Sequence, residues 1–360
     1  MPDKVKTMIP DKVRRQARGA AGETIEKPAN VSQAGVGTDI PTPAQGERRT
    51  RGALMDFGEK WATLIAFGLM IAFFWIDNPA TFGTTANLKA VLDQAAVPVL
   101  LGVGLTAVLA VAEFDLAFPY ALGLSSAAAT LMMTDHHASA LVAVVIGILV
   151  AVAAGAIVGL FVAQQRVSSF VITLGFGFVW LGITDGLTGS TVITINNTGF
   201  INLISHDVLG VTIATVVAAV FALAIGVMFR WTVLGRYMLT VGSNPQASRL
   251  AGLPLSTLRV VAYSVLGLGV GIAAMILTSR QAQYTPNLGT GLFLTPYVAA
   301  FFGMSVLGAR RFNVFGTVIG ALFMGTLQTG LVIIGAASWV DEFIQGAVLL
   351  VILLIARRES

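Results

Sequence analysis

The sequence predicts an all-α polytopic membrane protein, with about ten transmembrane helices in two inverted halves of five and both termini cytoplasmic. Three observations carry that prediction: the scarcity of charge, the length of the apolar runs, and the side of the membrane on which the cations fall. Charged residues make up 11% of the chain, against roughly 25% in soluble domains, and the mean hydropathy is +0.82. Residues 1–60 hold 11 of the 22 Lys/Arg and 8 of the 18 Asp/Glu, leaving 11 basic and 10 acidic side chains for the other 300 residues. That remainder lacks the charge to cover itself in water, so lipid must be its solvent. A soluble enzyme, a disordered chain and a disulfide scaffold are excluded on these grounds. The absence of Cys removes thiolate catalysis and Cys-ligated metal. A pI near 9.6 fits a positive-inside bias better than a nucleic-acid partner, and none is expected.

Taken in order, residues 1–55 are polar, carry 5 of the 12 prolines and hold no apolar run of signal-peptide length. They read as an uncleaved, disordered cytoplasmic tail, and Arg48, Arg49 and Arg51 beside the first apolar segment place the N-terminus inside. Residues 56–360 read as one transmembrane domain. A helix needs about 20 apolar residues to cross a ~30 Å hydrocarbon core. Spans accordingly fall near 57–76, 92–112, 116–133, 140–163, 168–187, 209–229, 260–278, 313–335 and 339–356. A tenth, 292–308, is short and contains Pro296, as a broken helix would. Glu113 and Asp115 interrupt an apolar stretch at 112–116, leaving open a tight hairpin or a discontinuity within the membrane.

Charge placement tests this count independently. With ten crossings, the inside loops carry Arg166, Arg230, Arg236, Arg249, Arg259, Arg310, Arg311, Arg357 and Arg358, and only Lys89 and Arg280 fall outside. Trp61 and Trp231 then lie at the inner interface and Trp75 and Trp339 at the outer one. Gly155/Gly159, Gly267/Gly271 and Gly316/Gly320 form GxxxG pairs, which read as helix packing.

The longest inside loop, 230–259, is the most informative stretch. Asn244 is an N-cap residue type, Pro245 suits the first helical position, and Gly252 is a C-cap type, so a helix of about two turns lies on the inner surface. Read from pattern alone, it either closes a loop at the interface or docks a cytoplasmic partner. Gly235-Arg236-Tyr237, the stretch from Gly242 to Leu253, and Gly316 to Leu322 resemble permease subunits of bacterial ATP-binding cassette importers. The similarity is to the ribose, xylose and arabinose group, distantly akin to branched-chain amino-acid permeases, and it covers roughly 60–356. It implies that the loop helix is a coupling helix seated in a cleft of a separate ATPase subunit, which binds the ATP. Carried over by position, Asn244, Ala247, Arg249 and Gly252 match that element, while Pro245 stands where the family often has an acidic residue. It also implies a second permease copy or related permease, an extracytoplasmic solute-binding protein, and residence among the lipids of the bacterial inner membrane.

The second candidate is a pair of interrupted spans. Asp115-Leu116-Ala117-Phe118-Pro119-Tyr120 opens the third span and Phe293-Leu294-Thr295-Pro296-Tyr297 the eighth. Five crossings apart, they run in opposite directions, as expected of an inverted repeat with a translocation path at its interface. The similar family has an Asp-Leu-Ser-x-Gly stretch where this chain has Asp115-Leu116-Ala117-Phe118-Pro119. Glu113, Asp115, Pro119, Tyr120, Pro296 and Tyr297 are therefore the candidate pathway residues. An intramembrane carboxylate costs on the order of 2.5–3.5 kcal/mol at the bilayer centre and normally faces a polar cavity; at the inner interface that cost nearly vanishes. Asp135-His136-His137 reads as a solvated outer loop, and Asp185 as interfacial.

No GxxxxGK[S/T] is present, no cluster has metal-ligand spacing, and no Ser/His/acid set stands out. The chain reads as non-catalytic and holds no cofactor. Spans five to ten carry almost no ionisable residue in their interiors, which favours a partner ATPase as the energy source and a small neutral solute, most simply a monosaccharide. The alternative is a stand-alone secondary transporter or facilitator with Glu113 and Asp115 as its coupling carboxylates.

Overall fold

The structure, a computed structural model, describes residue 61 and residues 63–164, 167–202, 206–208, 210–306 and 311–357. The 1–55 tail with Arg48, Arg49 and Arg51, as well as Arg166, Arg310 and Arg358, lie outside the described residues. The described chain is mostly helical. It runs α1 (Thr63–Asp77), α2 (Pro79–Phe82), α3 (Thr85–Leu109), α4 (Phe118–Thr134), α5 (Ala140–Gln164), α6 (Ser169–Thr188) and α7 (Thr198–Ile201), then α8 (Ile213–Trp231), α9 (Val233–Ser243) and α10 (Pro245–Leu250). It continues through α11 (Leu255–Gln281), α12 (Leu294–Ser305), α13 (Val314–Ile333) and α14 (Ser338–Arg357). Four two-residue strands were not expected: β1 (Ile193–Thr194) pairs antiparallel with β4 (Gln283–Tyr284), and β2 (Asp207–Val208) with β3 (Val211–Thr212). Among the described residues, six helices are long and apolar enough to cross a membrane: α3, α5, α6, α8, α11 and α13.

Helix α3 begins at Thr85, two turns before the expected start of the second span, and ends at Leu109. Polar residues that look like a loop in a hydropathy reading are each satisfied on the helix. Thr84 Oγ1 accepts the Asn87 amide at 3.1 Å, and Asn87 Nδ2 donates to the Phe82 carbonyl at 2.9 Å. Asp93 pairs with Arg280 of α11 at 2.7 Å and accepts the Thr212 hydroxyl at 2.6 Å. Lys89 lies 3.7 Å from Asp207. The two cations expected outside thus hold their own chain together.

Helix α3 is the most enclosed span, with 83% of its apolar window buried against 22% for α6. Helices α4, α5, α11 and α13 pack around it or each other through small residues. Gly155 of α5 faces the Tyr263 carbonyl and Gly267 of α11 faces that of Ala151, while Gly316 of α13 meets Gly303 of α12. A β-carbon at these points would enter the neighbouring backbone, so the GxxxG pairs serve packing as expected. Hydroxyls and an amide bridge helices at buried positions. Thr106 and Thr317 lie 2.7 Å apart, Ser126 and Thr278 2.6 Å, and Thr295 donates to Gln345 at 2.8 Å. Large apolar side chains such as Leu141, Phe178, Leu223 and Phe343 remain exposed, as lipid-facing residues do.

Candidate functional site

The stretch between α3 and α4, for which the sequence left open a tight hairpin or a discontinuity, is a non-helical segment. Residues 110–117 leave the helix through Ala112, whose φ is +60°, and carry Glu113 and Asp115 into buried positions. Neither carboxylate is left bare. Glu113 pairs with Arg259, at the start of α11, at 2.7 Å. Asp115 Oδ1 accepts the backbone N–H groups of Ala117 at 2.5 Å and Phe118 at 3.1 Å, so its carboxyl group faces the N-terminal end of α4.

Three further side chains grip the same segment. Tyr263 of α11 donates its phenol to the Phe114 carbonyl at 2.7 Å, and Tyr297 of α12 donates to the Asp115 carbonyl at 2.6 Å. Ser169 Oγ, at the first turn of α6, accepts the Phe114 amide at 3.1 Å. On another side, Gly242 of α9 lies against the Ala110 carbonyl, an approach that only a residue without a β-carbon permits. Sequence reasoning missed Arg259, Tyr263 and Ser169. Arg259 counted there only as an inside cation, and nothing local marks a residue whose partner lies 146 positions away, at Glu113.

The two proline-tyrosine helix starts meet at this segment. Phe118 of α4 stacks on Phe293 with ring centroids 6.2 Å apart and lies 6.2 Å from Tyr297 of α12. Proline occupies the second position of α4 and the third of α12, where a missing backbone N–H costs nothing. Helix α12 has 12 residues, so it spans about 18 Å at 1.5 Å per residue and falls short of the hydrocarbon core. Gly289, just before it, rests on the Pro119 backbone. The structure thus brings Asp115, Pro119 and Tyr297 together, with Pro296 beside them. Tyr120 points elsewhere, into a cavity shared with Thr184, Tyr284, Asn287 and Thr290. Tyr284 in that cavity lies outside the spans, and its burial raises the phenol pKa above the ordinary tyrosine range, keeping it protonated.

The loop 230–259 holds two helices rather than one. Helix α9 follows α8 after a single residue, Thr232, whose hydroxyl accepts the Gly235 amide at 3.2 Å, and it buries Gly235, Met238 and Val241. Helix α10 has the expected bounds: Asn244 Oδ1 accepts the Ala247 amide at 2.9 Å, Pro245 opens the helix, and Gly252 takes a φ of +76° after its end. Ser248 faces inward, while Asn244, Ala247 and Arg249 are exposed and Leu250 is 90% exposed. Among the described residues no group of three His, Asp or Glu side chains could hold a metal, and His136 and His137 are exposed.

Comparison with known proteins decides the kind of molecule that carries this site. A family model described as branched-chain amino acid transport system / permease component matches residues 87–353. The chain belongs to that family. It is similar to the ribose import permease protein of Escherichia coli, with 31% identity over 307 residues, covering 83% of this chain and 94% of that protein. It is 26% identical over 314 residues to the L-arabinose ABC transporter permease protein of Azospirillum brasilense, covering 87% and 92%. The D-allose transport system permease protein of E. coli is 26% identical over 294 residues, covering 82% and 90%. This permease is therefore a multi-pass protein of the bacterial inner membrane and a non-catalytic transport component.

Proposed function

We propose that this permease is the translocating subunit of an ATP-driven importer of a monosaccharide. In this reading it has ten membrane helices in two inverted halves of five, formed by residues 56–360, with a tail at 1–55 and both termini cytoplasmic. A separate ATPase subunit binds and hydrolyses ATP, a second copy or related permease completes the pathway, and an extracytoplasmic binding protein delivers the solute. The observation that carries the reading is the mechanical continuity of one stretch. The exposed helix α10 is flanked by α9, which touches the 110–117 segment at Ala110, and by Arg259, which is ion-paired to Glu113 in it. That segment in turn holds the starts of both interrupted spans through Asp115 and Tyr297.

Asn244 shapes the docking helix, Ala247, Arg249 and Leu250 present its contact face, and Gly252 lets the chain turn away. When the ATPase pair closes, it pushes α10, and the push reaches α4 and α12 through the 110–117 segment, switching access from one side of the membrane to the other. Asp115, Pro119, Tyr120, Pro296 and Tyr297 line or position the path, and Glu113 acts as a strut rather than a solute contact. The names of the similar proteins, which cite ribose, allose and L-arabinose, support a monosaccharide as the solute.

Affinity purification from native membranes in mild detergent tests this, comparing wild type with Arg249→Glu by mass spectrometry of co-purifying proteins. The expected result is an ATPase subunit retained by wild type and lost by the variant at equal permease abundance. A stable permease with no ATPase in either sample would overturn it.

A further inference from the structure

The polar side chains of α12 are Thr295, Tyr297 and Ser305, and the first two lie together at its start. They reach in different directions. Tyr297 donates to the Asp115 carbonyl, whereas Thr295, 1% exposed, donates to Gln345 of α14 at 2.8 Å. The apolar side chains of the helix divide in the same way. Tyr297, Ala299 and Ala300 pack in the large core shared with α3, α4 and α11. Val298 and Phe302 pack in a smaller one, with Phe74 of α1, Phe323 of α13 and Ile352 of α14. The start of α12 is therefore pinned towards both cores at once, by one side-chain hydrogen bond on each side.

The bond to Gln345 does not end there. Gln345 is 5% exposed, and from Gly346 to Ala356 the helix carries no other polar side chain. Its amide donates to Asp341 Oδ2 at 2.8 Å, one turn nearer the start of α14. Gln328 of α13 donates to the same oxygen at 3.4 Å, and Gln94 of α3, which is exposed, donates to Gln328 at 3.0 Å. The chain thus runs from the first turn of α12 through α14 and α13 to the surface at α3. A buried amide is costly in a span unless both of its ends are paired, and apolar side chains would join α12 to α14 without one. Asp341 Oδ1 is buried and has no partner among the described residues, so two amides share one carboxyl oxygen while the other accepts none. The long Gln328 bond can pass to Oδ1 without breaking any other bond of the chain, which gives the chain a second arrangement.

We propose that Gln345 is a positioning residue for translocation, acting through Thr295 to tie the first turn of α12 to α13 and α14. The inference rests on the importer reading above and extends its mechanical route beyond α12. In that reading the push of the ATPase arrives at α12 through Tyr297. With Thr295 bonded to Gln345, the displacement passes on to α14 and α13 and along the polar chain towards the outer side. Without that bond α12 moves against an unmoved neighbour, so the inner side responds to ATP and the outer side does not follow. A contact that served packing alone would affect abundance and ATP hydrolysis as much as transport.

The test uses chromosomal variants in the native host, with a strain deleted for the permease as background. Thr295→Val removes the hydroxyl at nearly constant shape, Thr295→Ser keeps it, and Gln345→Met removes the amide at similar length. Initial uptake of labelled D-ribose, L-arabinose and D-allose is measured in cells, and ATP hydrolysis on the permease–ATPase complex purified from them in mild detergent. Thr295→Val and Gln345→Met are each expected to lower uptake of the transported sugar about three- to tenfold, the worth of one hydrogen bond. Abundance and ATP hydrolysis should stay at wild-type levels. Thr295→Val/Gln345→Met should fall no further than the worse single variant, and Thr295→Ser should keep wild-type uptake. Uptake, ATP hydrolysis and abundance falling together would reduce the pair to a packing contact and overturn the role. Wild-type uptake in both single variants would overturn it too, and either result leaves the importer reading intact. A permease that purifies without an ATPase, or sugar uptake unchanged by the deletion, would overturn the importer reading and the inference with it.

Discussion

Glu113 and Arg259 show what a charge needs in order to sit deep in so apolar a chain. The pair is 2.7 Å apart with side chains 11% and 18% exposed, so each ion cancels a desolvation cost that neither could bear alone. Removing one partner of a buried pair costs roughly 3–5 kcal/mol, whereas removing both is often close to neutral. Arg259→Met should therefore lower the midpoint of thermal inactivation in detergent sharply, and Glu113→Gln/Arg259→Met should recover most of it. Equal loss in the single and double variants would mean that the pair is not coupled. The double variant also separates two transport mechanisms, because a proton-coupled carrier relying on Glu113 would lose uptake altogether. A strut whose two charges are removed together keeps it, because the contacts of Gly242 with Ala110 and of Tyr297 with Asp115 still join the flank of α10 to the interrupted spans. Tyr297 makes the complementary point with a neutral group. Its phenol donates to the Asp115 carbonyl at 2.6 Å, so Tyr297→Phe leaves a buried acceptor unpaired at a cost of about 1–3 kcal/mol. The stability loss should be accompanied by reduced uptake, since this bond joins α12 to the segment before α4. Wild-type uptake with lowered stability would confine Tyr297 to a structural role.

At the scale of elements, α10 is six residues long and cannot be stable by propensity alone. Its shape depends on the Asn244 cap, worth about 1 kcal/mol. Asn244→Ala should weaken ATPase co-purification, and Asn244→Asp, which keeps a capping oxygen, should restore it. Failure of Asp to rescue would assign Asn244 a direct contact instead. This helix was legible in the sequence because its signals are local: Asn, Pro and Gly at the right spacing. Helix α9 was not, because Gly235 and Gly242 read as loop residues. They are glycines for a tertiary reason, as Gly235 lies against the Phe229 backbone and Gly242 against the Ala110 carbonyl. The early start of α3 was hidden similarly, since Lys89 looks like a loop charge until Asp207 is placed beside it. The proline-tyrosine starts could be picked out individually. Their meeting through Phe118, Phe293 and Tyr297 could not, because aromatic contact between distant segments leaves no periodic trace.

At the scale of the whole molecule, orientation follows from where the cations fall, and function depends on it. An ATPase can reach α10 only if the 230–259 loop is cytoplasmic, and a binding protein can deliver solute only if the loop after α4 faces the other side. The chain has no cysteine, so single introduced thiols report their side of the membrane without a background to remove. His136 and Gln246 are both exposed and lie in the two loops concerned. His136→Cys should react with a membrane-impermeant maleimide in intact spheroplasts, and Gln246→Cys only after the membrane is opened. Because both positions are accessible to solvent, both should label fully in permeabilised membranes, which controls for unreactive sites. The reverse pattern would put α10 on the outer face, where no ATP-hydrolysing partner could push it. The charge asymmetry, the coupling helix and the direction of transport would then have to be given up together, since all three rest on the same placement of nine arginines against Lys89 and Arg280.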